Sequence, residues 1–151
     1  TLLVCGDGTG RAQLERACAG LDNVVIRGLQ PRERLGELLS LADVHLLPQI
    51  AGAADLVLPS KLTNMLASAR PVVATAAPGT ALFDEVDGCG IVTPPGDAAA
   101  FAGAIEALVD DASLAARLGV AARERARERW SRTAILARLS DELAALVGAG
   151  R

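Results

Sequence analysis

Lys61 is the only lysine among the 15 basic residues of this chain, and it lies in the segment LPSKLTN. Ser60 is a residue type that caps helices, and the proline before it favours an extended entry, so the pattern predicts a helix that begins here. Backbone amides in a first helical turn have no partner inside the helix. Such a helix start stabilises an anion, and a lysine adds a compact charge that suits phosphate. The amides concerned are those of Lys61, Leu62 and Thr63.

Polar residues continue from Lys61 along one side of this predicted helix. Asn64 and Ser68 follow at positions i+3 and i+7, whereas Leu62 and Leu66 belong to an apolar stripe on the opposite side. We therefore expect one side of the helix to pack in the core and the other to meet a ligand. The alternative is a capped helix whose lysine is solvated and binds nothing.

A glycine-rich segment, GDGTGR, follows the first apolar run of the chain and opens the first helical pattern. Gly6, Gly8 and Gly10 would allow a ligand to approach the backbone closely, and open α/β sheets bind nucleotides at this position, beyond the carboxyl ends of their strands. A dinucleotide fingerprint would need a glycine at Arg11 and an acid at Arg27. Dinucleotide binding is therefore disfavoured, and a phosphate loop and a plain glycine-rich turn both stay open.

Short apolar runs alternate with helical patterns through the first part of the chain. The runs are apolar throughout, which is typical of strands in a parallel sheet whose two faces are covered by helices. We therefore expect an α/β fold with a Rossmann-like, three-layer α/β/α arrangement and a parallel sheet. The predicted strands are residues 2–5, 24–27, 43–48, 71–75 and 90–93. The predicted helices are residues 11–20, 32–42, 60–69, 98–109, 112–130 and 131–147.

Several residues that could do chemistry have a structural interpretation that we favour. His45 lies inside an apolar strand and is expected to be a hydrogen-bonded core histidine, not a base, and Trp130 is expected to anchor the final helices. The run RERARER, residues 123–129, alternates arginines with glutamates, so we expect a solvated helix face with ion pairs inside the helix and no nucleic-acid patch. The acid pairs at 84–85 and 110–111 are expected to cap helices or to be solvated.

Composition limits the class of protein. A chain of 151 residues that is 51% hydrophobic is long enough for one domain with a real core, and a net charge of −3 gives no general surface for nucleic acids or anionic membranes. Three widely spaced cysteines suggest neither a disulfide framework nor a zinc site, and no apolar run approaches the length of a membrane span. We expect a soluble cytoplasmic protein without a metal. The start at TLLVCG, without a methionine, predicts a fragment of a larger protein.

Four segments of the sequence together resemble the C-terminal half of family 4 glycosyltransferases, and most of all the colanic acid type that assembles bacterial exopolysaccharide. The resemblance covers nearly the whole chain. It implies a GT-B fold, in which two Rossmann-like domains face each other, with residues 1–151 as the donor-binding part and the acceptor-binding domain and the first strand-helix unit missing. The segments are LLVCGDGTGRAQLE, NVVIRGLQPRERLGELLSLADVHLLP, PSKLTNMLASARPVVAT and the stretch from GCGIVTPPGD to ERWS.

The same resemblance assigns roles to residues by position. Lys61 would stabilise the diphosphate leaving group, and Asn64 and Leu56 would replace the two glutamates of the family's E-x7-E motif, of which the second binds the ribose hydroxyls. Asp55 is only a neighbour of that motif, and Ala69 replaces a common glycine. The remaining donor-binding residues that the resemblance implies are Gly6, Asp7, Gly8, Thr9, Arg11, Arg27, Gly28, Ser60, Leu62 and Thr63.

For the intact protein the resemblance implies transfer of a hexosyl-type sugar from a nucleoside diphosphate, UDP or GDP, to a hydroxyl, with retention and without a metal or other cofactor. Its partners would be the nucleotide sugar and a saccharide or lipid-linked acceptor held by the missing domain, at the inner face of the membrane, and the isolated domain would be inactive. Two alternatives stay open: a nucleotide-binding regulatory module without transfer activity, and a nucleotide-sugar epimerase of GT-B type.

Overall fold

The computed structural model describes residues 1–50 and 58–149 of the chain, which falls into two compact units. The first unit is residues 1–38 and the second is residues 39–151. Each unit builds a parallel sheet from strands that alternate with helices. This confirms the predicted α/β class.

In the first unit two short strands pair in parallel. Strand β1 (Leu2–Cys5) lies beside β2 (Val24–Arg27), and helix α1 (Arg11–Ala17) connects them. A 3-10 turn (Arg32–Arg34) follows, and helix α2 (Leu35–Leu41) contains residue 38, at which the first unit ends. The glycine-rich loop thus leaves the carboxyl end of β1, beside the carboxyl end of β2.

The second unit contains a three-stranded parallel sheet in the order β3-β4-β5, with β3 at His45–Leu47, β4 at Val72–Thr75 and β5 at Gly90–Thr93. All four residues of the central strand β4 are buried. The sequence predicted one parallel sheet, whereas the described strands form two, one in each unit. Runs that are apolar on both faces predict that strands exist, but they do not specify which strands share hydrogen bonds.

Four helices of the second unit cover both faces of this sheet and make the three layers that the sequence predicted, and a fifth, the last in the chain, packs on the π-helical turn before it. Leu62, Leu66 and Leu82 lie in the buried cluster on one face, and Val73 and Leu108 lie in the cluster on the other. The helices are α3 (Ser60–Ala67), α4 (Ala81–Val86), α5 (Ala98–Asp110), α6 (Ala112–Arg125), which a π-helical turn (Ala126–Trp130) continues, and α7 (Arg132–Ala149).

Helix α4 was not predicted, because six residues carry too little periodicity to be recognised. Its Thr80 cap accepts a hydrogen bond from the Phe83 amide at 3.2 Å. The expectation that Glu85 is solvated or caps a helix is wrong. Its carboxylate is largely buried and accepts hydrogen bonds from Arg129 at 2.8 Å and from the Trp130 indole at 3.0 Å.

The run at residues 123–129 is exposed at five of its seven positions, as the predicted solvated helix face requires, but its ion pair does not lie inside the helix. Arg125 reaches α4 instead of a neighbour on its own helix and donates to the carbonyls of Asp84 and Asp87, the last at 3.1 Å. Within the described residues the ion pair of this run is the one from Arg129 to Glu85 on α4. The run therefore holds α6 and its π-helical turn onto α4, and Trp130 anchors this contact as expected.

Ala69, where the resemblance implied a common glycine, has an unusual backbone conformation. Ala69, after the last turn of α3, has a φ of 61°, in the left-handed region that favours glycine. Its carbonyl faces Gly119 of α6, where an added Cβ would lie 2.4 Å from the Ala69 oxygen. Helix α6 therefore approaches the turn after α3 as closely as a residue without a side chain allows.

Candidate functional site

The loop after β1 is tied to the end of β2 by Asp7. One oxygen of its carboxylate accepts a hydrogen bond from the Arg11 guanidinium at 2.6 Å, and the other accepts one from the Leu29 amide at 3.0 Å. The Leu29 amide, together with Arg11, holds the pKa of this carboxyl below its usual value. The Asp7 side chain thus fixes the predicted loop. Its Oδ2 atom would also lie 3.5 Å from a Cβ added at Gly28.

Arg11 is held by three groups of its own unit. Besides Asp7, it donates to the Gly6 carbonyl at 3.0 Å and to Glu15 at 2.8 Å. The Glu15 carboxylate, followed by Asp7, raises the pKa of the guanidinium. Because two carboxylates already offset its charge, Arg11 organises the loop, and this contribution does not depend on a ligand.

The loop glycines leave their backbone open. An added Cβ at Gly6, Gly8 or Gly10 would meet nothing within 4 Å, and Thr9 between them is exposed. Arg27 at the end of β2 is also exposed, and its guanidinium donates to the Ile26 carbonyl at 3.2 Å. The first unit therefore presents an accessible backbone loop.

The helix that carries Lys61 starts at Ser60, but its cap differs from the prediction. Pro59 is the N-cap, and no side chain in the described part of the chain caps the helix. Of the three amides expected to be unpaired, that of Leu62 donates to the Pro59 carbonyl at 2.9 Å, so that expectation is wrong for Leu62. The Leu62 side chain is completely buried, whereas Lys61 and Asn64 are exposed. The apolar and polar sides of the helix thus follow the predicted stripes at these positions.

Ser68 does not continue the polar stripe toward a ligand. Its hydroxyl donates to the Met65 carbonyl at 2.6 Å and lies 2.9 Å from Nε2 of His45. Because the single hydroxyl hydrogen is used on Met65, Nε2 of His45 must be the donor to Ser68. Burial, with the nearby Arg70, lowers the pKa of His45. His45 is therefore the hydrogen-bonded core histidine that the sequence predicted.

Two residues at the carboxyl edge of the second sheet escaped the sequence reasoning. The Thr75 hydroxyl, at the end of β4, accepts a hydrogen bond from the Gln49 amide at 2.6 Å and donates to the Gln49 carbonyl at 2.7 Å. Polar residues at the ends of predicted parallel strands were the available signal. The connection that follows belongs partly to residues 51–57, so Asp55 and Leu56 lie outside the described residues.

The geometry thus gives two separate sets of candidate residues at the carboxyl ends of parallel strands. One is the glycine-rich loop with Asp7 and Gly28 in the first unit, and the other is the start of α3 with Lys61 in the second. A family model described as glycosyl transferases group 1 matches residues 1–111. The chain belongs to this family. Solved structures that are similar to this chain place its fold among GT-B glycosyltransferases with a Rossmann-like architecture, as the resemblance implied.

Two curated relatives are similar over part of the chain. A protein named as the colanic acid biosynthesis glycosyl transferase WcaI, from Escherichia coli strain K12, is 46% identical over 52% of this chain and 20% of its own length. The alpha-D-kanosaminyltransferase of Streptomyces kanamyceticus is 32% identical over 77% of this chain and 30% of its own length. The chain therefore spans less than a third of either relative.

Solved structures agree with this fold. The structure of Anabaena HepE in complex with UDP-glucose superposes with a TM-score of 0.80 at 21% identity, covering 96% of this chain and 41% of HepE. Sucrose-phosphate synthase of Thermosynechococcus elongatus gives 0.78 at 25% identity, covering 98% and 39%. In the described part of this chain, no helix is long and apolar enough to cross a membrane, and no three metal-ligating side chains cluster.

Proposed function

We propose that this chain is the donor-binding part of a glycosyltransferase that transfers a sugar from a nucleoside diphosphate to a hydroxyl acceptor in exopolysaccharide or glycoconjugate synthesis. Membership of the family supports the reaction class, and the similarity to WcaI supports the biosynthetic setting. The complex of HepE with UDP-glucose supports a nucleotide sugar as ligand. The finer assignment is a UDP- or GDP-linked donor, with the acceptor bound by another part of the full protein.

The observation that carries the proposal is the exposed Lys61 in the first turn of α3. The buried apolar side of the helix includes Leu62, so packing in the core fixes the orientation of the helix start and keeps Lys61 on the exposed side. Its polar side offers Lys61 and the Thr63 backbone to a diphosphate, with Asn64 one turn further on for ribose hydroxyls. The glycine-rich loop, braced by Asp7, supplies a second stretch of accessible backbone in the first unit.

Charge stabilisation is the chemistry that these residues offer. When the sugar leaves, negative charge grows on the diphosphate, and a fixed ammonium with the positive end of a helix dipole stabilises it without moving. The described residues offer no side chain that we assign as a base, since His45 is buried and hydrogen-bonded. Transfer with retention and without a metal, in the cytoplasm at the inner face of the membrane, completes the proposal.

Calorimetric titration with UDP, GDP and ADP tests the assignment, on the wild-type chain and on Lys61→Ala. We expect one nucleotide to bind saturably and the variant to lose about tenfold in affinity or more, because lost charge-assisted hydrogen bonds cost about 1.5–3 kcal/mol. Arg117→Ala is the matched control, since it removes one positive charge from an exposed position on α6. Equal losses of affinity in Lys61→Ala and Arg117→Ala would show that the effect comes from net charge and not from the position of Lys61. No binding of any of the three nucleotides to the wild type would refute the proposal.

A further inference from the structure

Gln49 carries a buried oxygen that has no partner among the described residues. It follows β3 at the carboxyl edge of the second sheet, and its side-chain Oε1 forms no hydrogen bond within the described residues. Folded proteins pair nearly all their buried polar atoms, since an unpaired one keeps its full desolvation penalty. The side chain therefore holds an acceptor that a hydrogen-bond donor from outside these residues could satisfy.

The backbone of the same residue is firmly held. The Thr75 hydroxyl takes both backbone groups of Gln49, with distances of 2.6 Å and 2.7 Å, and Thr75 is only 6% exposed. A buried side chain of β4 thus fixes the point where the chain leaves β3. The sheet sets the position of the Gln49 backbone, while its side-chain oxygen accepts no hydrogen bond from the residues that the structure describes.

Topology brings this residue to the edge that carries Lys61. Strands β3, β4 and β5 are parallel, so their carboxyl ends share one edge, and α3 is the next helix after β3 along the chain. Helices that follow strands in such sheets start at that same edge, and ligands of open α/β sheets bind there. Gln49 and Lys61 therefore belong to one edge of one unit.

We propose that Gln49 Oε1 accepts a hydrogen bond from a hydroxyl of the transferred sugar and so helps to select the donor. This inference rests on the proposed function. An amide oxygen needs a donor, which excludes the ionised diphosphate oxygens and leaves the hydroxyl groups and the N–H groups of the base, and the resemblance implies that the base is held at Arg27 and Gly28 of the first unit. The ribose hydroxyls are assigned to Asn64, and the sugar lies on the other side of the diphosphate.

The test compares UDP-glucose with UDP by calorimetry on the wild type, on Gln49→Met and on Gln13→Met. If the first titrations select GDP, then GDP-mannose and GDP replace them. Methionine keeps the length of the side chain and removes the amide, and Gln13 is an exposed glutamine on α1 that serves as the matched control. We expect Gln49→Met to weaken binding of the nucleotide sugar about five- to tenfold and binding of the free nucleotide less than twofold.

The outcomes separate the two proposals. If the wild type binds the nucleotide sugar and Gln49→Met binds it equally well, the role of Gln49 is overturned but the proposed function is not. If Gln49→Met weakens binding of the free nucleotide as much as binding of the nucleotide sugar, the contact with the sugar is overturned. No binding to the wild type overturns the proposed function and this inference with it. Thermal melting adds a second readout, since removal of an unpaired buried oxygen should not lower the melting temperature, whereas a purely structural role would lower it.

Discussion

Thr75 and Thr93 are partners in register on the neighbouring strands β4 and β5, yet one hydroxyl is fully used and the other is not. Both residues are 6% exposed. The Thr75 hydroxyl forms two hydrogen bonds with Gln49, whereas Thr93 Oγ1 has no partner within the described residues. The Thr75 hydroxyl therefore stabilises the fold, whereas the Thr93 hydroxyl, one strand away, adds a desolvation cost.

We expect the substitution of valine for threonine to have opposite signs at these two positions. Thr75→Val leaves the backbone groups of Gln49 unpaired and should lower the free energy of unfolding by about 1–3 kcal/mol. Thr93→Val removes a buried hydroxyl that no described residue pairs with and should leave that free energy unchanged or raise it by about 1 kcal/mol. Urea unfolding of both variants measures the difference. A loss at Thr93 as large as that at Thr75 would show that the Thr93 hydroxyl is also bonded.

Two helical glycines should respond differently to alanine. Gly119 in α6 faces the Ala69 carbonyl, and a Cβ there would be 2.4 Å from that oxygen, whereas one at Gly103 in α5 would meet nothing within 4 Å. Helix propensity alone favours alanine by about 1 kcal/mol at both positions. We therefore expect Gly103→Ala to stabilise the chain by about this amount and Gly119→Ala to destabilise it by about 1–3 kcal/mol, as overpacking does.

Denaturant midpoints of the two glycine variants give the comparison directly. Stabilisation by Gly119→Ala would contradict the close approach of α6 to the turn after α3. Destabilisation by Gly103→Ala would contradict the open surface on that side of α5.

His45 should make the stability of the chain depend on pH. Its pKa in the folded chain lies below the ordinary value of 6.5, chiefly because the ring is buried. Below pH 6.5 the unfolded chain therefore binds more protons than the folded chain, and the free energy of unfolding falls as the pH drops toward the folded pKa. In thermal melts at pH 7.5, 6.5 and 5.5, the melting temperature should fall at the lowest pH. Most carboxylates titrate at lower pH than this range.

His45→Gln is the matching variant, because a glutamine amide can still donate to the Ser68 hydroxyl but does not titrate. Its melting temperature should change less than that of the wild type over this range. Parallel pH curves for the two proteins would assign the loss of stability to other groups.

Much of the fold could be read from local patterns. The strands β1, β2 and β5 occupy the predicted residues, and α3 starts at the predicted serine, because apolar runs and helix-start signals are properties of neighbouring residues. The six-residue α4 was missed, since so short a helix has little periodicity and depends on its Thr80 cap and on Arg125 from α6. Within the candidate site, local sequence patterns also pointed to Lys61 and to the glycine-rich loop.

The pairing of distant residues could not be read in this way. Glu85 was expected to be solvated because acids usually are, and only the packing of the π-helical turn on α4 brings Arg129 and Trp130 to it. The position of Gln49 after a predicted strand was a local signal, but its bond to Thr75 could not be read from the sequence, since the two residues lie 26 positions apart.

The sequence by itself determined the α/β class, the strand and helix order, and the family to which the loop and helix motifs point. These depend on periodicity and on residues within one turn or loop. The tertiary structure decided which strands share a sheet, which helix carbonyls Arg125 caps, and which buried oxygens are bonded. Those outcomes depend on the distances between segments far apart in the chain, which no local pattern specifies.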